Sequence, residues 1–236
     1  MENKSEFVDI ELLSRCWLLN ELSRESLSEI LSGGSRRRVG AKDVVFNRGD
    51  LGDDIYFLLS GGVKVSTLSH EGKEIIFDVL VAGDFFGDIS LFDDKPRTGT
   101  VTALVPSAFL ILGKNRFLGL LEKYPGVSIR LIKTLAARLR LMDGFLEDVL
   151  FLDAEARLAK RVVALSRIFG QEGENGQIKI DLKMSQQELA NLVGITRESV
   201  NKQFKGWEKS GVIGLEKGCL ILRQPELLES LLLQLS

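Results

Sequence analysis

Between Val39 and Leu112 apolar residues recur at every second position in short runs, and glycines cut those runs apart. The runs are Val44-Phe46, Ile55-Phe57, Val63-Val65, Ile75-Phe77, Val101-Ala103 and Phe109-Ile111, with Gly49-Asp50, Gly52-Asp53, Gly61-Gly62, Gly72 and Gly83-Asp84 between them. A period of two sends alternate side chains to opposite faces of a strand. Many short strands with such turns predict an antiparallel sandwich or jelly roll. Upstream, residues 8–31 place Ile10, Leu13, Trp17, Leu22, Leu27 and Ile30 at helical spacing, which predicts short helices.

Downstream the period changes. Pro125 and Gly126 mark a break, and a long helix is predicted from there to about Leu152. Its apolar residues Ile132, Leu135, Leu139, Met142, Leu146 and Val149 are spaced 3-4-3-4-3, a coiled-coil register over about two and a half heptads. Such a stripe suits either a parallel dimer seam or a helix laid on its own core; the flanking arginines favour the seam. Phe151-Leu152-Asp153 reads as a hinge. A helix from about Ala154 to Phe169 and a short strand Ile178–Ile180 follow. Ser185-Gln-Gln-Glu188 is a capping-box sequence opening a short helix that ends at Gly194. Thr196 then caps a helix from Arg197 to Lys209, and a hairpin turns around Glu216-Lys217-Gly218. Helix, glycine turn, helix and hairpin make a winged helix-turn-helix. The chain is therefore expected to be α+β in three parts: helices and an antiparallel β-roll (jelly roll) in 1–123, a dimerisation helix in 124–152, and a winged helix-turn-helix in 153–236.

At 236 residues, 44% hydrophobic and 27% charged, the chain has room for two ordinary globular cores. It contains no apolar run of the length a membrane span needs, and Met1 to Phe7 is acidic and polar with no signal-peptide pattern. Two cysteines, Cys16 and Cys219, lie far apart, which fits a reducing cytoplasm and no disulfide framework. The net charge of −2 is uneven: residues 153–236 carry 12 Lys/Arg against 11 Asp/Glu, leaving −3 for residues 1–152. Within residues 196–210, four basic residues face two acidic ones, a modest basic face that suits DNA.

Two stretches carry chemistry. From Phe85 to Thr102 the chain reads F-F-G-D-I-S-L-F-D-D-K-P-R-T-G-T-V-T. Arg97 offers a planar fork for two phosphate oxygens, and Gly87 lets backbone amides approach a ligand. Asp88 can accept from a sugar hydroxyl but repels phosphate, so it is expected to face a ribose. In the second stretch Ile195, Val200 and Phe204 can face the domain while Arg197, Glu198, Asn201, Lys202 and Lys205 project outward. Arg can pair bidentately with guanine and Glu can accept from a cytosine amino group; Ser185 and Gln186, at a helix N-terminus, suit phosphate oxygens. An iron–sulfur cluster takes four thiolates and only two cysteines exist. His70, the single histidine, sits at an apparent hairpin tip, so no haem ligand is expected. Arg36-Arg37-Arg38 reads as a solvated edge before the first strand. No metal site and no nucleophile–base pair suggest themselves, so the chain is not expected to be an enzyme.

On the cassette and the R-E-x-V-x-K helix together, nearly everything after residue 10 resembles the CRP/FNR family of bacterial transcription regulators. The resemblance implies a homodimer that binds an inverted-repeat DNA site with TGTGA-like half-sites and works with RNA polymerase. It implies a cyclic nucleotide, cyclic AMP or cyclic GMP, as allosteric ligand. Its ligand set is Gly87, Asp88, Ile89, Ser90, Arg97 and Thr98, with Met142 and Asp143 at the positions that reach the base. Its DNA set is Ser185, Gln186, Gln187, Thr196, Arg197, Glu198, Ser199, Lys202 and Lys205. Asp88 stands where the family usually has glutamate, and Lys202 where cyclic-AMP-binding members have arginine. Asp143 would suit the N–H donors of guanine, or would pair across a parallel seam with Arg138, the two falling at e and g. The alternatives are a same-fold regulator that needs no ligand or senses another such as cyclic di-GMP, and a nucleotide-binding regulatory subunit that does not bind DNA.

Overall fold

In the computed structural model, which describes residues 4–173, 176–182, 184–216 and 218–233, strands and helices follow the two periods of the sequence. The chain divides into two units, Met1–Leu139 and Arg140–Ser236.

The first unit begins with helices α1 (Lys4–Ser14) and α2 (Arg24–Gly33). Eight strands follow: β1 (Ser35–Val39), β2 (Val44–Phe46), β3 (Asp54–Ser60), β4 (Gly62–Leu68), β5 (Glu74–Val81), β6 (Phe85–Phe86), β7 (Thr100–Ala103) and β8 (Ser107–Gly113). Helix α3 (Asp88–Asp93) interrupts them, and α4 (Lys114–Lys123) follows. The strands form two antiparallel sheets, ordered β1-β8-β3-β6 and β2-β7-β4-β5.

Strand β3 shows how period two is used here. Tyr56 and Leu58 point into a core between the sheets with Val63, Val101 and Phe109. Ile55, Phe57 and Leu59 point the other way, into a second core built with α1, α2, α4 and Phe85. A strand buried on both faces reads as continuous hydrophobic sequence, and Ile55 to Leu59 is uniformly buried. Each such side chain contributes about 1.5–3 kcal/mol relative to exposure.

The arginine run differs from expectation. Arg36, Arg37 and Arg38 do not precede the first strand but lie within it, β1 pairing with β8 from Ser35↔Ile111 to Val39↔Ser107. Arg36 bonds Asp9 at 2.6 Å and Arg37 donates to the Val45 carbonyl at 3.0 Å. Backbone pairing at a sheet edge tolerates charged side chains, which also discourage edge-to-edge association.

Helix α5 spans Pro125–Phe151. Its first turns are anchored in the first unit: Val127 and Leu131 are buried, Trp17 Nε1 donates to Thr134 Oγ1 at 2.9 Å, and Arg130 donates to Asn20 at 3.0 Å and to Glu21. The 3-4-3-4-3 stripe, by contrast, is open, with Ile132 and Leu139 each 61% exposed.

The second unit carries α6 (Ala154–Phe169), β9 (Gly170–Glu172), β10 (Ile178–Ile180), α7 (Gln186–Val193), α8 (Arg197–Lys209), β11 (Ile213–Glu216), β12 (Cys219–Leu222) and α9 (Pro225–Leu233). Asp153 caps α6 by accepting from the Ala156 amide at 2.8 Å. The capping box at Ser185 and Glu188 is formed, with both reciprocal bonds in place. Four strands order as β11-β12-β10-β9. Leu189, Ala190, Val200, Phe204 and Trp207 of α7 and α8 are buried, as are Leu158, Ala159 and Val162 of α6, which lies beside both helices. Trp207 Nε1 donates to Glu155 at 3.0 Å and ties the end of α8 to the start of α6. The wing's turn residue Lys217 lies outside the described residues. The architecture is α+β: an antiparallel β-roll, a long helix and a C-terminal helix-turn-helix with a small sheet.

Candidate functional site

Strand β6 is followed by Gly87, whose φ of +87° turns the chain into α3. A Cβ there would stand 2.8 Å from both Arg97 Nη1 and the Asp54 carbonyl, so glycine is required by conformation and by space. Gly52 makes a second close approach: its added Cβ would sit 2.4 Å from Arg97 Nε. These gaps let one arginine sink into the protein.

Arg97 is only 4% exposed. Its Nη1 donates to the Gly87 carbonyl at 2.8 Å and to Ser90 Oγ at 2.8 Å, and its Nη2 donates to the Asp54 carbonyl at 2.9 Å. The guanidinium carbon lies 4.4 Å from the Phe46 ring centre and 5.7 Å from that of Tyr56. Desolvation pulls its pKa below the usual guanidinium value; Tyr56 and the nearby Asp54, Asp53 and Asp50 oppose that shift. Among the described residues no carboxylate makes a direct ion pair with it. A buried cation held by neutral oxygens and ring faces is costly unless an anion joins it.

Asp88, 2% exposed, is held differently. Arg138 of α5 places Nη1 across both carboxylate oxygens, at 3.1 and 3.0 Å, and Nη2 on the Phe85 carbonyl at 2.6 Å. The same guanidinium covers the Phe85 ring at 4.8 Å. The carboxylate expected at a ribose thus faces a cation of the long helix. Its neighbour Asp84 has its pKa raised, chiefly by burial, while the Val81 amide and the charge of Arg138 pull it down.

The structure brings Gly87, Asp88, Ser90 and Arg97 together. It leaves Thr98 and Ile89 exposed, so the hydroxyl on Arg97 is that of Ser90 rather than Thr98. Met142 and Asp143 are exposed and belong to the unit that starts at Arg140. Arg138 has its intrachain partner in Asp88, not Asp143. Sequence reasoning missed Arg138, Phe46, Tyr56 and the Asp54 carbonyl as parts of this site. Arg138 lies four residues before Met142 on one helix, a spacing that puts both on one face and could have flagged it.

On the second unit, Thr196 Oγ1 caps α8 by accepting from the Ser199 amide at 3.1 Å. Val200, Phe204 and Trp207 bury one face of α8, leaving Arg197, Glu198, Lys202 and Lys205 exposed on the other. Ser185 spends its hydroxyl on the capping box, and Gln187 donates to Asn191 at 2.8 Å. Gln186 is half-buried at the start of α7. Among the described residues no group of three or more His, Cys, Asp or Glu could hold a metal ion, and no helix is long and apolar enough to cross a membrane.

Comparison with known proteins adds to this geometry. A family model for the cyclic nucleotide-binding domain matches residues 36–124, and one for the Crp-like helix-turn-helix domain matches residues 156–231. The CRP-like cAMP-activated global transcriptional regulator of Mycobacterium tuberculosis is 32% identical over 182 residues, 77% of this chain and 81% of that one. The Cyclic AMP receptor protein of Thermus thermophilus is 30% identical over 214 residues, 91% of this chain and 95% of that one. Among solved structures, a CooA variant from Carboxydothermus hydrogenoformans shares the fold with a TM-score of 0.74 at 24% identity, covering 93% of this chain and 94% of that one.

Proposed function

This chain belongs to the CRP/FNR family of cyclic-nucleotide-binding transcription regulators, and we propose that it is a homodimeric, sequence-specific DNA-binding protein switched by cyclic AMP. One observation carries the ligand half: among the described residues Arg97 is buried without a carboxylate partner, beside a glycine turn and a serine hydroxyl. A cyclic phosphate would accept from Arg97 and from backbone amides beyond Gly87, while the ribose would meet Asp88. The choice of cyclic AMP over cyclic GMP leans on the names of the relatives.

Binding has a route to the long helix. Any hydroxyl that approaches Asp88 competes with or completes its contacts to Arg138, and Arg138 is part of α5. The exposed stripe Ile132, Leu135, Leu139, Met142, Leu146 and Val149 supports a seam with a second copy. A dimer would present two α8 helices to half-sites about 34–36 Å apart, with Arg197, Glu198 and Lys202 reading bases and Ser185, Gln186, Gln187, Thr196, Ser199 and Lys205 nearer the phosphates. RNA polymerase is the expected protein partner of such a complex.

The test is a duplex-binding titration by fluorescence anisotropy on an inverted TGTGA repeat, with and without cyclic AMP, cyclic GMP and cyclic di-GMP. Cyclic AMP is expected to tighten binding; a complete switch from 1:99 to 99:1 needs about 10⁴-fold preference for the competent state. Equal DNA affinity with and without every nucleotide would leave a ligand-independent regulator. A failure to bind any duplex would leave a regulatory subunit without DNA.

A further inference from the structure

The two charged side chains of the cassette are held by different means. Asp88 has a counter-ion in Arg138, at 3.0 Å. Arg97 has none among the described residues. Its guanidinium carbon lies instead 4.4 Å from the ring centre of Phe46 and 5.7 Å from that of Tyr56. Those two ring centres are 5.5 Å apart, so the cation closes a triangle with them. The rings come from different sheets, Phe46 from β2 and Tyr56 from β3. Tyr56 is itself fixed by a parallel stack on Phe86 at 5.0 Å, and Phe86 meets the edge of Phe109 at 5.6 Å. Phe86 directly precedes Gly87, whose carbonyl accepts from Arg97 Nη1. Phe46 is only half-buried, at the margin of the core that Tyr56, Phe86 and Phe109 share.

A ring face attracts a guanidinium within about 6 Å of its centre but brings no negative charge. It can therefore fix the direction of the cation without neutralising it. A carboxylate in the same place would fix it equally well and would then compete with an incoming phosphate. The neighbouring loop offers such competitors: Asp50 and Asp53 are exposed, and the Asp50 carbonyl accepts from the Arg97 backbone amide at 2.9 Å. We propose that Phe46 and Tyr56 are positioning residues for ligand binding, which keep Arg97 turned into the cassette with its charge free to meet a phosphodiester anion. The assignment rests on the cyclic-nucleotide reading above. Without the rings the guanidinium would spend part of its time on those carboxylates or in water, and affinity falls with the fraction of molecules in which the site is formed.

The test is calorimetric titration of cyclic AMP, and of cyclic GMP, into the full-length protein. Phe46→Leu is expected to weaken binding about tenfold, and Phe46→Tyr, which keeps the ring, to stay within about threefold of the parent. Replacing Phe46 with pentafluorophenylalanine keeps the shape but reverses the ring's quadrupole. It should bring the same loss with an unchanged melting temperature, and it takes the place of Phe46→Leu if that variant fails to fold. In an Arg97→Gln background Phe46→Leu is expected to cost nothing further, because the group it positions is gone. Parental affinity retained in the Phe46→Leu and pentafluorophenylalanine proteins overturns the positioning role and leaves the cyclic-nucleotide reading intact. A tenfold loss that recurs in the Arg97→Gln background also overturns it, since the ring would then act on the ligand or the core rather than through Arg97. No saturable binding of either nucleotide by the unaltered protein would refute the reading on which the role rests, and the role with it.

Discussion

Arg97 and Arg197 carry the same guanidinium, one in each unit, under opposite conditions. Arg97 is 4% exposed and gives its donors to Gly87, Ser90 and Asp54. Arg197 stands exposed on the first turn of α8 and makes no hydrogen bond or ion pair among the described residues. The first cation is desolvated and oriented by the fold, so on the proposed function an arriving phosphate would meet a preformed, poorly screened partner. The second is solvated, and on the proposed function it would keep its water and its rotamers until DNA arrives, making its contribution sensitive to salt. Ligand sensing and DNA reading, as proposed, would rest on the same chemistry with the desolvation step placed at different moments.

The sharpest way to break this contrast is Arg97→Gln. Removing one partner of a buried charge-assisted contact should lower cyclic-nucleotide affinity at least 100-fold, about 3 kcal/mol, as read by calorimetry. A loss below tenfold would mean that Arg97 is structural rather than ligand-bearing. The next largest effect is expected from Arg138→Gln. It strands the buried Asp88 and should cost about 2 kcal/mol in urea unfolding, less than a fully buried pair because Arg138 is partly solvated. Adding Asp88→Asn should recover part of that loss; a purely additive double variant would show that the two residues are not coupled. Smallest is Arg197→Ala, which should weaken specific DNA binding by about 1–3 kcal/mol while leaving melting temperature and nucleotide affinity unchanged. If nucleotide affinity falls with it, the two arginines are not independent.

What could be seen in the sequence was whatever has a local period or a local cap. Strands β2 to β5 and β7 and β8 announced themselves through alternation and glycine turns, and α7 and α8 through Ser185-Glu188 and Thr196. Strand β1 did not, because Arg36, Arg37 and Arg38 mask a strand held by its backbone pairing to β8. Helices α4 and α9 also escaped, being stretches of only ten and nine residues. In the cassette, Gly87 and Arg97 were legible because their chemistry is conspicuous. The Asp88–Arg138 contact was not: its partners are 50 residues apart and meet only because Val127, Leu131 and Thr134 dock the start of α5. Heptad logic offered Arg138 a partner across a seam as one alternative, while the docked helix places it on Asp88.

Strand β3 gives the pocket a timescale as well as a wall. Buried on both faces and bonded to β8 on one side and β6 on the other, it is expected to be among the last elements to open, which amide hydrogen exchange would check. The Asp54 carbonyl that holds Arg97 lies at the first residue of that strand. On the proposed function, a ligand would therefore enter and leave by local fluctuation of the α3 side, around the exposed Ile89 and Thr98, rather than by opening of this strand.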